Sequence, residues 1–323
     1  MNPQRINDIL KSHGAVAVGV SAADVTPPEA MQAFDRWIAA GHNAGMGYMA
    51  NHRAIRRDPG LLLEGARSVI SLAFPFAPSR FRDSSEGMIA CYAYGDDYHD
   101  ALRARLSEAV EELRAEFGGE WRVCIDSAPL LERYRAVRAG IGSTGRNGAV
   151  IVPGFGSMVF LAELITTLEL PETSRPESSP SNCDMTQYLE MPHTQACLNC
   201  GACVRACPGR AILPDGTVDA RRCLSYLTIE HRGEWEPDVA RGIMDSPVGK
   251  SVMFGCDICL RVCPLNKSIP PTDIAEFQPR DEIFYLRRRE VESMTPEEFS
   301  RRFKGSPLKR AKLSGLKRNC GFK

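Results

Sequence analysis

Two short runs of cysteine carry the clearest chemistry in the chain. They read Cys197-Leu-Asn-Cys200-Gly-Ala-Cys203-Val-Arg-Ala-Cys207-Pro208 and Cys256-Asp-Ile-Cys259-Leu-Arg-Val-Cys263-Pro264. The first has the CxxCxxCxxxCP spacing with which three thiolates of one loop bind a [4Fe-4S] cluster while the fourth reaches a second cluster. Zinc knuckles use CxxC pairs without that third step, and disulfides need an oxidising compartment. The spacing therefore predicts a two-cluster site.

Counting ligands completes this prediction. Two clusters need eight cysteines and the runs supply seven, so Cys223, which lies between them, is the predicted eighth. By the crossed pattern of such domains, the first cluster is predicted to bind Cys197, Cys200, Cys203 and Cys263. The second is predicted to bind Cys207, Cys223, Cys256 and Cys259. The other four of the 12 cysteines are expected to be thiols, namely Cys91, Cys124, Cys183 and Cys320.

Length and composition are those of a globular enzyme. The 323 residues leave room for about two domains, each with enough apolar content for a core. The formal net charge is zero, so the protein as a whole does not favour a polyanionic partner. No apolar run approaches the roughly 18 residues of a membrane helix, and no export signal opens the chain. We therefore expect a cytoplasmic protein without a membrane partner.

The elements that must position this chemistry begin with a domain over residues 1–170. Apolar residues from Leu102 to Phe117 recur at three- and four-residue steps, which predicts a helix that Gly118-Gly119 ends. A second helix is predicted over 130–139. Strands are predicted over 15–20, 68–76, 121–125, 149–152 and 158–164. The fold class predicted from this order is α/β, with layered α+β architecture.

Three further segments follow in the predicted organisation. Residues 171–195 are rich in proline and serine near their start and are interpreted as a linker. Residues 196–270 form the predicted ferredoxin-like two-cluster domain. Residues 271–323 are interpreted as a helical extension with a basic tail, because nine lysines and arginines follow Ser300 without an acidic residue.

A glycine motif at Gly140-Ile-Gly142-Ser-Thr-Gly145 matches the GxGxxG dinucleotide fingerprint. The genuine motif follows a strand and opens a helix, whereas here a predicted helix precedes the motif and a strand follows it. We therefore interpret the segment as a helix end and a tight turn.

A series of motifs in the front domain resembles the epoxyqueuosine reductase family. In chain order they are Gly45-Met-Gly-Tyr-Met49, Asn51-His52, Arg57-Asp58-Pro59, Gly65-Ala-Arg-Ser-Val-Ile70, Tyr92-Ala-Tyr-Gly-Asp-Asp-Tyr-His99, Asp126-Ser-Ala-Pro-Leu-Leu-Glu-Arg133, Ala139-Gly-Ile-Gly142, Gly145-Arg-Asn147, Gly156-Ser157 and Cys223-Leu-Ser-Tyr-Leu-Thr-Ile229. The resemblance spans nearly the whole chain. It implies a cobalamin-dependent oxidoreductase with two [4Fe-4S] clusters that reduces epoxyqueuosine to queuosine at the tRNA wobble position. The implied cobalamin domain is similar to flavin-reductase-like and cobalamin-processing folds.

The chain departs from the family pattern at three places. It ends at Lys323, where many members continue into a HEAT-like helical repeat, so we expect a short form. The segment before the first cysteine run is longer than expected. Ser143-Thr144 replaces an aromatic-led pair after Gly142, so packing of the cobalamin pocket is expected to differ there.

Asp126 is the predicted proton donor, since it matches the family's acid and follows the apolar residues 123–125. Strand ends in α/β sheets are common ligand sites, and an enclosed carboxyl group can hold its proton near neutral pH. The alternative is an N-cap for the helix predicted near Leu130. By resemblance, the cobalamin contacts are Arg57, Cys91, Arg133, Val150, Pro153, Leu164 and Ser225. Their alternatives are a buried thiol, a surface ion pair and core residues.

The expected partners are the anticodon loop of tRNA and a low-potential electron donor, and the expected working form is a monomer. The basic tail, with His231 and Arg232, is expected to contact tRNA. Two other functions stay open: a corrinoid and iron-sulfur reductase of another substrate, similar to reductive dehalogenases, and a non-catalytic electron carrier.

Overall fold

The computed structural model describes residues 2–173 and 197–321, so Cys183 and most of the predicted linker lie outside the described residues. The strands are β1 Ala17–Ala22, β2 Ser68–Pro75, β3 Met88–Ile89, β4 Trp121–Cys124, β5 Ser143–Thr144, β6 Val150–Ile151, β7 Val159–Thr166 and β8 Val252–Phe254. The helices are α1 Pro3–Ser12, α2 Pro28–Ala39, α3 Arg53–Arg57, α4 Tyr98–Phe117, α5 Glu132–Arg138, α6 Ala202–Ala206, α7 Leu224–Ile229, α8 Pro237–Val239, α9 Pro247–Ser251, α10 Ile258–Arg261, α11 Asp281–Phe284, α12 Arg288–Ser293, α13 Pro296–Arg302 and α14 Lys312–Asn319.

Two compact units make up the fold, and neither is continuous in sequence. The first comprises Met1–Ala40, Gly47–Pro75 and His99–Cys200, and the second comprises Gly41–Met46, Phe76–Tyr98 and Gly201–Lys323. The boundaries at 170, 195 and 270 were predicted from changes of composition along the chain. The two compact units are instead defined by which segments contact one another. Residues 41–46 and 76–98 therefore fall outside the unit in which the sequence division placed them, and the extension after 270 shares a unit with most of the cysteines.

A four-stranded sheet forms the centre of the first unit. Its order is β1-β2-β7-β4, and every neighbouring pair is antiparallel. β2 is buried along its whole length and has a neighbouring strand at each edge. The predicted strands are confirmed to within two residues at each end. The antiparallel sheet with its helices corresponds to the α+β part of the predicted class and not to a parallel α/β sheet. The strand-end rule for ligand sites belongs to parallel sheets, so it does not apply to this antiparallel one.

Helix α4 follows the apolar periodicity predicted for it. Leu102, Leu106, Val110 and Leu113 are buried, and Gly118, with φ of +69°, ends the helix by donating its N–H to Arg114 O at 2.9 Å. Helix α5 packs against β1, β2 and β7. Its end approaches β1 so closely that a Cβ on Gly19 would lie 2.2 Å from Ala139 O.

The glycine motif is a helix end and a hairpin, as predicted. α5 precedes it, and β5 pairs with β6 in an antiparallel hairpin that contains Gly145. No helix opens after the motif within these described residues, so the geometry for cradling a dinucleotide is lacking here.

The second unit contains the cysteine segments from Cys203 onward and the C-terminal helices. A short parallel pair, β3 and β8, lies beside α7 and α14. The fully buried side chains of Phe303, Leu308 and Leu316 anchor the last 20 described residues in this core. Among the described residues, no helix is both long and apolar enough to cross a bilayer.

Candidate functional site

The four cysteines predicted for the second cluster lie close together. Cys223 interacts electrostatically with Cys207, and Cys256 interacts with both Cys223 and Cys259. Burial raises the pKa of the Cys223 and Cys256 thiols. Iron binding must therefore displace a proton from each, as metal binding to thiols generally does. This soft, all-thiol donor set fits an iron-sulfur cluster.

Main-chain N–H groups surround the sulfur atoms of this cysteine group. Ala211 donates to Cys207 Sγ at 3.2 Å, Tyr226 and Ser225 donate to the Cys223 sulfur, and Ile258 donates to the Cys256 sulfur. Such N–H donors to sulfur tune the reduction potential of iron-sulfur clusters. Ser225 is a predicted cobalamin contact, but the contact that the structure describes is with a predicted cluster ligand: its main-chain N–H donates to the Cys223 sulfur.

In each cysteine run, a short helix ends just before the Cys-Pro pair. Helix α6 ends at Ala206 before Cys207-Pro208, α10 ends at Arg261 before Cys263-Pro264, and the two helices pack together. Proline limits the helical conformation of the preceding residue and so stops each helix. After the first pair, a Cβ on Gly209 would lie 1.8 Å from Arg222 O, so glycine lets the chain reach the segment that bears Cys223.

Cys197 and Cys200 belong to the first unit, whereas Cys203 and Cys263 belong to the second. The Cys197–Cys200 segment is held by Asn199, whose Oδ1 accepts from Arg146 Nη1 at 2.8 Å. No three ligand side chains among the described residues meet at the spacing of a single metal ion. The assignment of four ligands to each cluster stays a prediction.

Asp126 stands two residues beyond the end of β4 in a left-handed turn. Its φ is +45°, a conformation that costs most L-residues roughly 1–2 kcal/mol, although aspartate tolerates it better than most. Asp126 Oδ2 lies 3.2 Å from His99 Nε2, and the Asp126 N–H donates to Glu132 Oε1 at 2.5 Å. The N-cap alternative is wrong, because α5 begins at Glu132 with Leu131 as its N-cap.

Asp126 is not enclosed as expected, since its side chain is 57% exposed. The buried carboxyl groups lie behind it. Burial and the nearby Asp126 carboxylate raise the pKa of Glu132 to about 8. Burial and the Glu132 carboxyl raise the pKa of Glu163 well above its ordinary value. The site therefore groups three interacting carboxyl groups: the exposed Asp126, Glu132 with a pKa of about 8, and the fully buried Glu163, whose pKa is raised well above its ordinary value.

Sequence reasoning missed Glu132 and Glu163. Glu163 lies in β7, opposite Ser71 of β2 and Cys124 of β4, and is fully buried. Neither of its carboxyl oxygens has a hydrogen-bond partner among the described residues. The available signal was a single acidic residue inside the apolar strand predicted over 158–164. A charge in that position is unusual enough to mark a perturbed carboxyl group.

Glu163→Gln is expected to stabilise the protein increasingly as the pH rises. The native pKa of Glu163 lies above the unfolded value, so wild-type stability is lost as pH increases from about 4.5. Glutamine cannot ionise and avoids that loss. Melting temperatures at pH 5 and pH 8 measure the effect, with the exposed Glu169→Gln as control. A pH-independent difference between E163Q and wild type would contradict the assignment.

The predicted cobalamin contacts divide between exposed and core positions. Arg57, Arg133 and Pro153 are exposed in the first unit, and Cys91 is buried in the second. Val150 and Leu164 are buried among apolar residues, and Leu164 shows no exposed surface, so the structure favours the core alternative for both. The Cys91 N–H donates to Asp257 Oδ2 at 2.5 Å, and burial raises the pKa of the Cys91 thiol.

The β5–β6 hairpin, which bears Val150, leaves a polar atom available to a ligand. Ser143 Oγ is buried and has no hydrogen-bond partner among the described residues. Buried hydroxyl groups are nearly always paired, so this atom fits a site that a polar ligand completes. Cobalamin carries several amide groups that could pair with it, and the residues of the hairpin are therefore compatible with this cofactor.

Several cations of the predicted basic tail are built into the fold over residues 300–321. Arg302 Nη1 pairs with Glu290 at 3.1 Å, and Arg310 Nε pairs with Glu230 at 2.7 Å. The Arg318 guanidinium lies 4.7 Å from the Trp235 ring centroid and donates to Leu227 O and Gly233 O. Charge spacing alone does not distinguish such structural arginines from solvated ones.

The same region engages the two residues predicted beside the clusters. His231 Nε2 lies 2.8 Å from Glu234 O, and Arg232 Nη2 donates to Arg310 O at 2.8 Å. The exposed cations of the segment are Arg301, Lys304, Lys309, Arg310 and Lys312.

Two family models match this chain. Residues 56–127 match the one described as epoxyqueuosine reductase QueG, DUF1730, and residues 196–266 match a 4Fe-4S double cluster binding domain. The first match contains Asp126 and the second contains all eight predicted cluster cysteines. The chain thus carries a 4Fe-4S double cluster binding domain.

Curated relatives match over nearly the whole chain. An epoxyqueuosine reductase from Cyclobacterium marinum is 40% identical over 94% of this chain and 91% of its own length. Another from Pseudomonas aeruginosa is 35% identical over 98% of this chain and 83% of its own length.

Solved structures agree with these matches. A crystal structure of epoxyqueuosine reductase with an epoxyqueuosine-modified tRNA stem loop has a TM-score of 0.83 at 26% identity, over 98% of this chain and 79% of that chain. The enzyme from Bacillus subtilis, described with its catalytic aspartate loop swung out of the active site, has a TM-score of 0.82 at 27% identity, with the same coverage. The chain belongs to the epoxyqueuosine reductase family, oxidoreductases of queuosine biosynthesis.

Proposed function

We propose that this protein reduces epoxyqueuosine to queuosine within tRNA, with Asp126 as the acid and with cobalamin and two [4Fe-4S] clusters as redox groups. The observation that carries the proposal is the exposed Asp126 carboxyl group 3.2 Å from His99 Nε2, in a chain that also has a double-cluster domain. An electron carrier needs no such acid. The family membership supports the substrate, and the relative bound to a modified stem loop supports tRNA as its carrier.

The stoichiometry explains why the acid has a partner. Queuosine lacks the epoxide oxygen of epoxyqueuosine, and removal of this oxygen as water consumes two electrons and two protons. Asp126 carries one proton at a time, so it must be reprotonated within each turnover. His99 contacts Asp126, and the Asp126 side chain is itself 57% exposed, so the acid can take up a proton from His99 or directly from solvent.

Electrons reach the site one at a time through the clusters. The eight predicted ligands hold them, with Cys207, Cys223, Cys256 and Cys259 grouped in the second unit. When bound, cobalamin supplies the reduced cobalt that transfers electrons to the epoxide. Arg57, Arg133 and Pro153 offer exposed side chains to hold it, and Ser143 Oγ offers a hydrogen-bonding group.

Nucleoside analysis of tRNA tests the function directly. Cells that lack the protein are expected to accumulate epoxyqueuosine and to lose queuosine, and the wild-type gene is expected to restore queuosine. Unchanged queuosine in the deleted strain would refute the proposal. In that case the electron-carrier or other corrinoid-reductase alternatives would stand.

Lys309 and Lys312 are proposed to contact tRNA phosphates. Each phosphate contact releases condensed counterions, so replacing both lysines by glutamine should weaken tRNA binding. The slope of log affinity against log salt should become shallower by roughly 0.7–0.9 per contact. Binding of a stem loop at four or more salt concentrations measures both effects.

Base recognition should come from extrusion of the wobble nucleotide, since stacking in the loop shields the epoxide.

The matched control for this experiment is Lys11→Gln, at an exposed lysine of the first unit. Truncation near residue 299 is unsuitable, because it removes the buried Phe303, Leu308 and Leu316 along with the charges. If K309Q/K312Q has the salt slope of wild type, these lysines are not phosphate contacts.

A further inference from the structure

We propose that Glu132 is the positioning residue of Asp126, because its carboxyl group accepts the Asp126 main-chain N–H and holds the turn that presents the acid. This inference deepens the proposed function and rests on Asp126 as the acid. The inference concerns one hydrogen bond between the turn and α5, so part of it can be tested without measuring catalysis.

The geometry of the turn requires such a support. β4 ends at Cys124, and beyond it the Asp126 N–H is bonded to Glu132 Oε1 instead of to a strand carbonyl. The φ of +45° at Asp126 is unfavourable for a residue with a Cβ, so the turn persists only where its surroundings hold it. Within the segment, Ser127 Oγ donates to Ile125 O at 3.1 Å, and Leu130 N donates to Ala128 O. From outside it, His99 Nε2 lies 3.2 Å from the Asp126 side chain, and Arg56 Nη1 donates to Leu130 O at 3.4 Å. The bond from the Asp126 main-chain N–H goes to Glu132.

Glu132 is itself well placed to act as a fixed support. It is the first residue of α5, and this helix packs against three strands of the sheet. The bond to Glu132 therefore connects the exposed turn to a helix that is packed against the sheet. A carboxyl group attached to a mobile segment could not transmit that rigidity.

The surroundings of Glu132 favour its neutral form. Burial raises its pKa most and the Asp126 carboxyl group raises it further, whereas the bond from the Asp126 N–H, Arg133 and His99 lower it. The resulting pKa of about 8 leaves the group mostly protonated at neutral pH. A neutral carboxyl accepts the N–H through its carbonyl oxygen without placing a second negative charge beside Asp126. Glutamine offers the same oxygen, so it should replace Glu132 better than alanine does.

Two variants test this inference in the anaerobically reconstituted protein. Glu132→Ala should lower kcat by roughly 10- to 100-fold with little change in KM for tRNA, since displacing a catalytic group mainly affects the chemical step. Glu132→Gln should recover most of that loss. The Asp126 amide should exchange with solvent faster in E132A than in wild type, and E132Q should resemble wild type.

Hydrogen-deuterium exchange of the peptide covering residues 124–131 reports the turn independently of activity. The exposed Glu111→Ala on α4 is the control and should leave both exchange and kcat unchanged. Equal exchange in E132A and wild type, or equal kcat losses in E132A and E132Q, would overturn the inference. An unimpaired Asp126→Asn enzyme would instead refute the proposed acid, and the exchange data would still decide whether Glu132 holds the turn.

Discussion

Replacing Asp126 by asparagine is expected to lower kcat by roughly 100- to 10,000-fold, the usual contribution of a general acid. Asparagine keeps the shape of the side chain and can still bond to His99, but its carboxamide has no acidic O–H proton to transfer. Iron content and cobalamin binding should be unchanged, because the change is isosteric. Single-turnover reduction of an epoxyqueuosine-containing stem loop measures the effect on the chemical step.

The matched control is Asp100→Asn. Asp100 is an exposed aspartate near the start of α4 that pairs with Arg103 at 3.5 Å. Surface pairs of this kind contribute little, so this variant should reduce the substrate as fast as wild type. If D126N also reacts at the wild-type rate, Asp126 has only a structural role and another group must supply the protons.

Local pattern was sufficient to predict much of the fold. The apolar periodicity from Leu102 to Phe117 depends on one helix face, and the structure buries that face in α4. The cysteine spacing predicted a double-cluster domain, which the family match confirms. Cys207, Cys223, Cys256 and Cys259 lie close together, and the assignment of four ligands to each cluster stays a prediction. These features depend on residues near in sequence or on ligands with strict spacing.

Features set by distant contacts could not be predicted in the same way. Glu163 is perturbed because its strand lies between β2 and β4, a pairing that joins segments far apart in the chain. The basic residues after Ser300 looked uniform in sequence, yet Arg318 binds main-chain carbonyls and Lys312 remains exposed. The exposure of Asp126 likewise depends on where its turn leaves the sheet. Each outcome follows from tertiary packing and not from residue type.

Replacing Cys223 by serine is expected to remove one cluster and to leave the other. Cys223 is predicted to bind only the second cluster, and its sulfur lies among those of Cys207 and Cys256. Iron should therefore fall from about eight to about four atoms per chain after anaerobic reconstitution. Reduction of epoxyqueuosine should also stop, because electrons no longer pass through both clusters. Iron analysis and electron paramagnetic resonance of the reduced protein measure these changes.

Two further serine variants make this result specific. Cys320 is buried in the second unit and is not a predicted ligand, so Cys320→Ser should keep about eight irons per chain. Cys197→Ser should also leave about four irons, but in the opposite cluster, and its paramagnetic spectrum should differ from that of C223S. Full iron retention in C223S would show that Cys223 is not a ligand. Identical spectra for C223S and C197S would contradict the crossed assignment, since the two changes would then affect the same cluster.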